Sequence, residues 1–313
     1  MDKLLFHIGY HKTGTTWLQK NVFVSTSKVF FPLNADRNKL AKLFVSGRDG
    51  FVLSPFATNK VEILKEFIEL TKNRKDKSKT LVLSFERLSG HPHSAGLDSK
   101  RIAERINGVF PSAKILIVIR EQRSFILSIY FQYLLKGGVH SLKKYLNIVY
   151  DKKRSYFSPN HINYVPLIRE YYNLFGKENV KVLPYEMFKR TPVEFINSIS
   201  AFINANIEID ESAFENYSNQ TNRTIVRFYF RFLNYFIFSN SLNNYSFLKN
   251  KFSKKLCLFF KSIVSMLIPK KWNKRLNLKL AAYIEQWVGD RYASSNVELS
   301  KLIDIDLTKY GYT

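Results

Sequence analysis

The alternation of short apolar runs with longer amphipathic segments is the feature that most restricts the fold of this chain. Residues 3–9, 80–85 and 114–119 form runs with few polar side chains, which is typical of strands buried on both faces of a sheet. Residues 61–72 and 99–110 carry apolar side chains at helical spacing and lie between those runs. The pattern predicts an α/β fold of three layers, with a mainly parallel central sheet flanked by helices.

The character of the chain changes in its final third. The alternating pattern covers residues 1–205, whereas residues 206–313 show no evident strand and are predicted to be helices followed by a tail. Within that part, residues 226–239 and 256–267 mix aromatic and basic side chains at helical positions. We predict a single domain over residues 1–313, in which this helical, basic and aromatic part completes the core. It either packs on the sheet or lies against a membrane or a glycan.

The charge of the chain is strongly positive, with 49 lysines and arginines, 25 aspartates and glutamates, and a formal net charge of +24. This excess favours anionic partners such as nucleotides, acidic sugars or an anionic membrane, although a lysine-rich composition throughout gives the same excess.

Cys257 is the only cysteine of the sequence, so no internal disulfide is expected. No secretory signal is evident, and no uncharged apolar stretch reaches the about 18–20 residues of a spanning helix. A cytoplasmic protein is therefore expected.

The loop after the first predicted strand contains the residue types of an anion site. Gly9 and Gly14 are spaced as in a Walker A loop, but Thr15 occupies the position of the Walker lysine, and Lys12 supplies a lysine earlier in the loop. Backbone N–H groups at the start of the following helix favour an anion, and Thr15 and Thr16 add hydroxyl donors. The sequence therefore predicts that this loop binds a phosphate.

A second candidate anion site follows the predicted strand 114–119. Arg120 comes directly after this strand, and ligands of open α/β sheets bind beyond the carboxyl ends of the strands. Its planar guanidinium suits phosphate oxygens, and Ser128, two helical turns further on, can present its hydroxyl to the same anion. Arg123 is expected to face solvent. Two anion sites predict a ligand with two separate anionic groups.

The two motifs together resemble those of sulfotransferases that use 3′-phosphoadenosine-5′-phosphosulfate (PAPS). The stretch H-K-T-G-T-T-W-L-Q, residues 11–19, is similar to their 5′-phosphosulfate-binding loop, and R-x(7)-S-x-Y, residues 120–130, to their 3′-phosphate motif. The resemblance implies PAPS as co-substrate and adenosine 3′,5′-bisphosphate as product, with Lys12 close to the bridging oxygen. The residues that it implies for nucleotide binding are His11, Lys12, Thr13, Gly14, Thr15, Thr16, Trp17, Arg120 and Ser128.

Further stretches resemble the bacterial carbohydrate branch of this family. They are S-I-Y-F-Q-Y-L-L-K-G-G at 128–138, V-L-P-Y-E-M-F at 182–188, N-R-T at 222–224 and the ending at 294–312. This likeness implies sulfuryl transfer to a hydroxyl or amine of a glycan or glycolipid, without a nucleic-acid partner. A lipid-linked acceptor would place the protein at the inner face of the membrane, against an anionic surface.

A general base is needed near the loop, because an acceptor hydroxyl must lose its proton as it attacks sulfur. Glu86 is the first candidate, since it follows the predicted strand 80–85 and the carbohydrate branch often has a glutamate in this position. His91 and His93 are the alternative, because the cytosolic branch of the family uses a histidine after a comparable strand. A surface carboxylate paired with Arg87 is the remaining interpretation of Glu86.

Metal ligands and other catalytic signatures are sparse in the sequence. No histidine or cysteine spacing suits a zinc site, so no metal is expected, and His7 is expected to be a core histidine of the first strand.

A P-loop kinase or NTPase is the first alternative function, and Thr15 at the Walker lysine position argues against it. A basic protein that binds nucleic acid or a membrane is the second; the charge suits it, but it leaves both anion motifs unexplained.

Overall fold

The computed structural model describes residues 3–26, 28–33, 35–46, 54, 57, 59–148, 157–210, 212–215, 228, 231–235 and 270–313. The strands in these residues are β1 (Leu4–Gly9), β2 (Phe30–Pro32), β3 (Thr80–Ser84), β4 (Lys114–Ile119) and β5 (Val180–Pro184). The helices in them are α1 (Thr15–Leu18), α2 (Ala35–Leu43), α3 (Lys60–Thr71), α4 (Ser99–Val109), α5 (Gln122–Leu135), α6 (Leu142–Leu146), α7 (Val165–Phe175), α8 (Tyr185–Arg190), α9 (Pro192–Ile203), α10 (Ser212–Glu215), α11 (Lys270–Val288) and α12 (Ala293–Ile303).

The strands of the described residues form one parallel sheet in the order β2-β3-β1-β4-β5. Every residue of β1 and β3 is buried, so both faces of the sheet are covered, as the apolar runs predict. This confirms the predicted α/β fold with a mainly parallel sheet. Because the strands are parallel, the loops that follow β1, β3, β4 and β5 all leave the same edge of the sheet, where ligands bind in such folds.

Alternate side chains of β1 pack against two different layers of helices. Leu5 belongs to a buried cluster that includes Ile199 of α9. On the opposite face, the ring of Phe6 lies 5.5 Å from that of Phe44, which follows α2, and 5.8 Å from that of Phe110, which follows α4. The sheet is therefore the middle of three layers.

The chain divides into two compact units. The first comprises Met1–Glu121, Ser158–Tyr217 and Tyr292–Thr313, and it contains the sheet. The second comprises Gln122–Phe157 and Ser218–Arg291, and its described elements are helical. Each unit thus draws on stretches that are far apart in the sequence, and the last described residues belong to the sheet-containing unit.

The second unit is held together by polar contacts between its helices. The side-chain amide of Asn234 donates to the carbonyls of Leu134 and Gly138, each at 2.8 Å, and so ties residues 231–235 to the end of α5. Arg123 of α5 forms an ion pair with Glu285 of α11. Arg123 was expected to face solvent, but this pair leaves its side chain partly buried.

Three of the described helices, α2, α6 and α8, were not predicted from the sequence, because they are short or weakly periodic. The helix predicted to follow the anion-binding loop begins at Thr15 and continues as a π-helical stretch over Gln19–Val24. The segments 222–224 and 256–267 lie outside the described residues, as does most of 226–239. In the part of the chain that is described, no helix has the length and hydrophobicity to cross a membrane.

Candidate active site

The loop between β1 and α1 folds tightly at the carboxyl edge of the sheet. Lys12 and Gly14 have left-handed backbone conformations, with φ of 67° and 80°, on either side of Thr13. The Thr13 hydroxyl donates to the carbonyl of Tyr10 at 2.5 Å and closes the turn. Left-handed residues in such a loop turn successive N–H groups toward one concavity, which suits an anion. The loop therefore has the backbone shape that its predicted phosphate site requires.

Thr15 presents a buried hydroxyl for which the described part of the chain provides no hydrogen-bond partner. Its side chain is 7% exposed, and Oγ1 makes no hydrogen bond within the described structure. A Cβ at Gly9 would lie only 2.7 Å from this oxygen, so a larger residue there would force the Thr15 side chain to move. A buried polar group without a partner costs about 1–3 kcal/mol, and an anion bound in the loop would remove that cost.

The neighbours of Thr15 differ in exposure. The side chains of Lys12 and Thr16 are exposed, whereas that of His11 is buried. Trp17 is also buried; its indole N–H donates to the carbonyl of Ala213 at 3.1 Å, and its backbone N–H to that of Gly14 at 2.9 Å. Trp17 thus supports the loop through core packing, and a contact between it and a nucleotide stays a prediction.

Arg120 leaves the end of β4 beside this loop. Its guanidinium donates to the carbonyl of Lys12 at 2.7 Å and lies over the ring of Tyr185, 5.1 Å from the ring centroid. The carbonyl of Arg120 accepts a hydrogen bond from the hydroxyl of Tyr164 at 2.5 Å. The structure therefore brings together the two residues on which the two predicted anion sites depend.

The candidate bases also lie close to the loop. Glu86 begins a 3₁₀ turn directly after β3, and its Oε1 is 3.8 Å from Nε2 of His11. The ring of His91 is 5.8 Å from that of His11, and the ring of His93 is 5.3 Å from that of His91. The carboxylate of Glu86 and the ring of His91 thus both adjoin His11, whereas His93 adjoins His91.

The model of the sulfotransferase domain family matches residues 2–296, which is nearly the whole chain. The chain belongs to the sulfotransferase domain family. Its members use PAPS, so the protein is an enzyme of the PAPS-dependent sulfotransferase type, and the kinase alternative is not favoured. A comparison with curated proteins gave no match.

Solved structures of sulfotransferases are similar to this chain at low sequence identity. A sulfotransferase from Alicyclobacillus acidocaldarius is 17% identical, covering 81% of this chain and 99% of that one, with a TM-score of 0.49. Mouse sulfotransferase SULT7A1 complexed with PAP is 17% identical over 68% of this chain and 63% of that one, with a TM-score of 0.39. The sulfotransferase domain from the curacin biosynthetic pathway is 13% identical over 70% and 79%, with a TM-score of 0.38. The family assignment depends on the family model and not on these distant likenesses.

Arg87 of the sulfotransferase forms an ion pair with Asp98, whereas the carboxylate of the neighbouring Glu86 lies next to His11. This arrangement offers no support to the interpretation of Glu86 as a surface carboxylate paired with Arg87. Both members of the Arg87–Asp98 pair are partly buried, so the pair fixes the segment that carries Glu86 onto the start of α4.

Two histidines of the sulfotransferase are buried and neutral. His7 lies in β1, where its Nδ1 is 2.7 Å from the hydroxyl of Ser84, and burial lowers its pKa from 6.5 to about 3. This agrees with the prediction of a core histidine. Burial likewise lowers the pKa of His161 from 6.5 to about 4; the charge of Asp98 opposes this shift, whereas His91 and Arg87 add to it. Neither residue is suited to accept a proton near neutral pH.

Ser128 lies on α5 of the second unit with its side chain half-buried, and its place in the 3′-phosphate site stays a prediction. No group of three or more potential metal ligands occurs among the described residues. The expectation that the reaction needs no metal is likewise untested.

Sequence reasoning did not assign a role to Tyr185, whose ring supports the guanidinium of Arg120. The signal was present, because Tyr185 directly follows the short, mostly apolar stretch V-K-V-L-P at 180–184, which forms β5. It was missed because the order of strands was unknown; only the pairing of β5 with β4 places Tyr185 next to Arg120.

Proposed function

We propose that this sulfotransferase moves a sulfuryl group from PAPS to a hydroxyl or amine of a carbohydrate. One observation carries the proposal: the guanidinium of Arg120 donates to the carbonyl of Lys12 at 2.7 Å, so the strand-end arginine adjoins the loop lysine. A nucleotide with its 5′-phosphosulfate on the loop and its 3′-phosphate near Arg120 would meet both cations at once.

The loop suits the 5′-phosphosulfate end of the donor. The left-handed residues Lys12 and Gly14 shape a concavity, and the unpartnered hydroxyl of Thr15 is a donor available to a phosphate oxygen. The exposed side chains of Lys12 and Thr16 can reach the same anion from the solvent side. Donors fixed in advance stabilise the charge that develops on the leaving phosphate, because little reorganisation is needed during the reaction.

The reaction is an in-line displacement at sulfur. The acceptor oxygen forms a bond to sulfur while the bond from sulfur to the bridging oxygen breaks, and the electron pair stays on the 5′-phosphate. The acceptor proton passes to a base, and adenosine 3′,5′-bisphosphate leaves. Lys12 neutralises the departing phosphate, whereas the base acts on the opposite, attacking side.

Glu86 is the proposed base. Its side chain is 36% exposed, so an acceptor can approach it from solvent, and it lies within 3.8 Å of His11 in the donor loop. The backbone N–H of Leu88 donates a hydrogen bond to the carbonyl of Phe85 and closes the turn that contains Glu86. This bond fixes the backbone from which the Glu86 side chain projects. His91 is the alternative base, because its ring also adjoins His11.

The acceptor class is proposed from the likeness of the segments 128–138, 182–188 and 294–312 to carbohydrate sulfotransferases. A glycan or glycolipid acceptor and a cytoplasmic protein that contacts the anionic inner face of the membrane are part of the same proposal. The described helix α11 supports the membrane contact, because its first half contains several lysines and Arg275, and its Trp272 and Leu278 are exposed.

Binding of adenosine 3′,5′-bisphosphate to the purified protein tests the nucleotide site by isothermal titration calorimetry. We expect micromolar or tighter binding, unchanged by EDTA, and transfer of label from PAPS to host glycans. Absence of binding, or ATP turnover that requires Mg²⁺, would contradict the proposal.

Turnover of a Glu86→Gln variant tests the base. Because a general base contributes about 10²–10⁴ in rate, kcat should fall at least a hundredfold while the Kd of adenosine 3′,5′-bisphosphate stays unchanged. Glu104→Gln, a change at an exposed glutamate of α4, is the matched control and should leave both values unaltered. Normal turnover by Glu86→Gln would transfer the role of base to His91, which His91→Asn then tests.

A further inference from the structure

Glu186 is a buried carboxylate beside the proposed 3′-phosphate site. It lies in the first turn of α8, directly after β5, and is 9% exposed. Its Oε2 accepts a hydrogen bond from the hydroxyl of Tyr312 at 3.1 Å. The same carboxylate accepts hydrogen bonds from the backbone N–H groups of Glu186 itself and of Glu121. Glu186 therefore binds the peptide group immediately after Arg120.

The backbone around Arg120 is held on both sides. Its carbonyl accepts the hydroxyl of Tyr164, and the next N–H, that of Glu121, donates to Glu186. Its guanidinium rests on the ring of Tyr185. These contacts leave little freedom in the direction in which the guanidinium leaves the sheet. A planar group that binds phosphate through two parallel N–H bonds depends on such a fixed direction.

Tyr312 reaches Glu186 because the segment that carries it is docked at several points. Gly311 has a left-handed conformation, with φ of 87°, that turns the chain inward. The side-chain amide of Asn296 donates to the carbonyl of Thr313 at 2.9 Å. Arg190, at the end of α8, donates to the carbonyl of Lys309. The segment is thus tied to both ends of α8, through Glu186 in its first turn and Arg190 at its last residue.

A carboxylate next to a phosphate site repels the phosphate. Its presence there therefore calls for another task that outweighs this repulsion. Burial raises the pKa of Glu186, and its hydrogen bonds and the charge of Arg120 act in the opposite direction. The hydrogen bonds to Glu121 and Tyr312 therefore hold the carboxylate in place at an electrostatic cost. Orientation of Arg120 is a task that explains this arrangement.

We infer that Glu186, held by Tyr312, is a positioning residue that aims Arg120 at the 3′-phosphate and so determines the preference for a 3′-phosphorylated nucleotide. The inference rests on the proposed function, because it takes adenosine 3′,5′-bisphosphate as the ligand. It assigns a joint role to two segments, Y-E at 185–186 and Y-G-Y at 310–312.

The test compares the Kd of adenosine 3′,5′-bisphosphate with that of 5′-AMP, which lacks the 3′-phosphate. We expect Glu186→Ala to reduce the preference for the bisphosphate about tenfold, and Glu186→Gln to reduce it less, because the amide keeps an acceptor oxygen. Tyr312→Phe, which removes one hydroxyl, should reduce the preference about three- to tenfold. The controls Glu194→Gln, at an exposed site in α9, and Tyr310→Phe, in the same segment, should leave it unchanged.

A double-mutant cycle separates orientation from general stability. In an Arg120→Ala background, Glu186→Ala should have no further effect on the preference, since the group that it orients is absent. If Glu186→Ala does not fold, Glu186→Gln and Tyr312→Phe carry the same comparison. An unchanged preference in folded variants, or tighter bisphosphate binding by Glu186→Gln, would overturn this inference but would not contradict the proposed function. A wild-type protein that binds neither nucleotide would overturn the proposed function with it.

Discussion

Replacement of Thr15 by valine should affect stability and ligand binding in opposite directions. The Thr15 hydroxyl is buried and has no partner among the residues that the structure describes, whereas valine has almost the same shape and no polar group to desolvate. Removing an unsatisfied hydroxyl should stabilise the free protein by about 1 kcal/mol, which is about 2 °C in Tm for a chain of this size. The same change removes a hydrogen bond to a charged phosphate, worth about 1.5–3 kcal/mol, and should raise the Kd of adenosine 3′,5′-bisphosphate about 10- to 150-fold.

A single thermal-shift experiment measures both effects. At a bisphosphate concentration one hundred times its Kd, the wild-type protein should gain about 2.7 kcal/mol. A variant with a thirtyfold higher Kd gains about 0.9 kcal/mol at that concentration, so the melting curves should exchange their order when ligand is added. Thr13→Val is the control, because the Thr13 hydroxyl bonds the Tyr10 carbonyl and its loss should destabilise the free protein. A Thr15→Val protein that is less stable than wild type, or that binds as tightly, would refute this reasoning.

Other substitutions test the surroundings of the site. Arg120→Lys keeps the charge but loses the planar fork, so the Kd of adenosine 3′,5′-bisphosphate should rise about tenfold while that of 5′-AMP stays constant. Gly96→Ala should lower Tm by several degrees, because φ is +63° and its Cβ would lie 2.1 Å from Nδ1 of His161; Gly108→Ala, in open space within α4, should raise stability by about 0.5–1 kcal/mol. The pKa of His161 falls from 6.5 to about 4 on folding, so the unfolded chain binds the extra proton and stability should decrease as pH falls from 6.5 toward 4. Urea unfolding at pH 7 and pH 5 should show a smaller difference for His161→Phe than for wild type.

Much of the sheet could be predicted from sequence, because its strands are buried on both faces and therefore apolar throughout. The run at 114–119 coincides with β4, and the run at 80–85 contains all of β3. The short helix α8 was not predicted, since its six residues are too few to show a helical period. The π-helical stretch after α1 could not be predicted either, because its apolar pattern is that of an ordinary α-helix.

The candidate site could be predicted where one short segment contains its chemistry. The loop with Lys12 and the strand-end Arg120 each have a recognisable spacing, and parallel strands place both on one edge. Glu86 was placed at that edge by the same rule, but its proximity to His11 depends on the turn after β3. Glu186 could not be found in this way, because its partner Tyr312 lies 126 residues further along the chain.

The bond between Tyr312 and Glu186 also bears on how the protein is made. Lys12 leaves the ribosome early, whereas Tyr312 is among the last described residues to be synthesised. At about 5–20 residues per second, roughly 15–60 s separate the two events. During that interval a nascent chain can have its sheet in place while the carboxylate beside Arg120 still lacks its phenolic partner. Tyr312 must therefore be synthesised before the proposed nucleotide site acquires its final geometry.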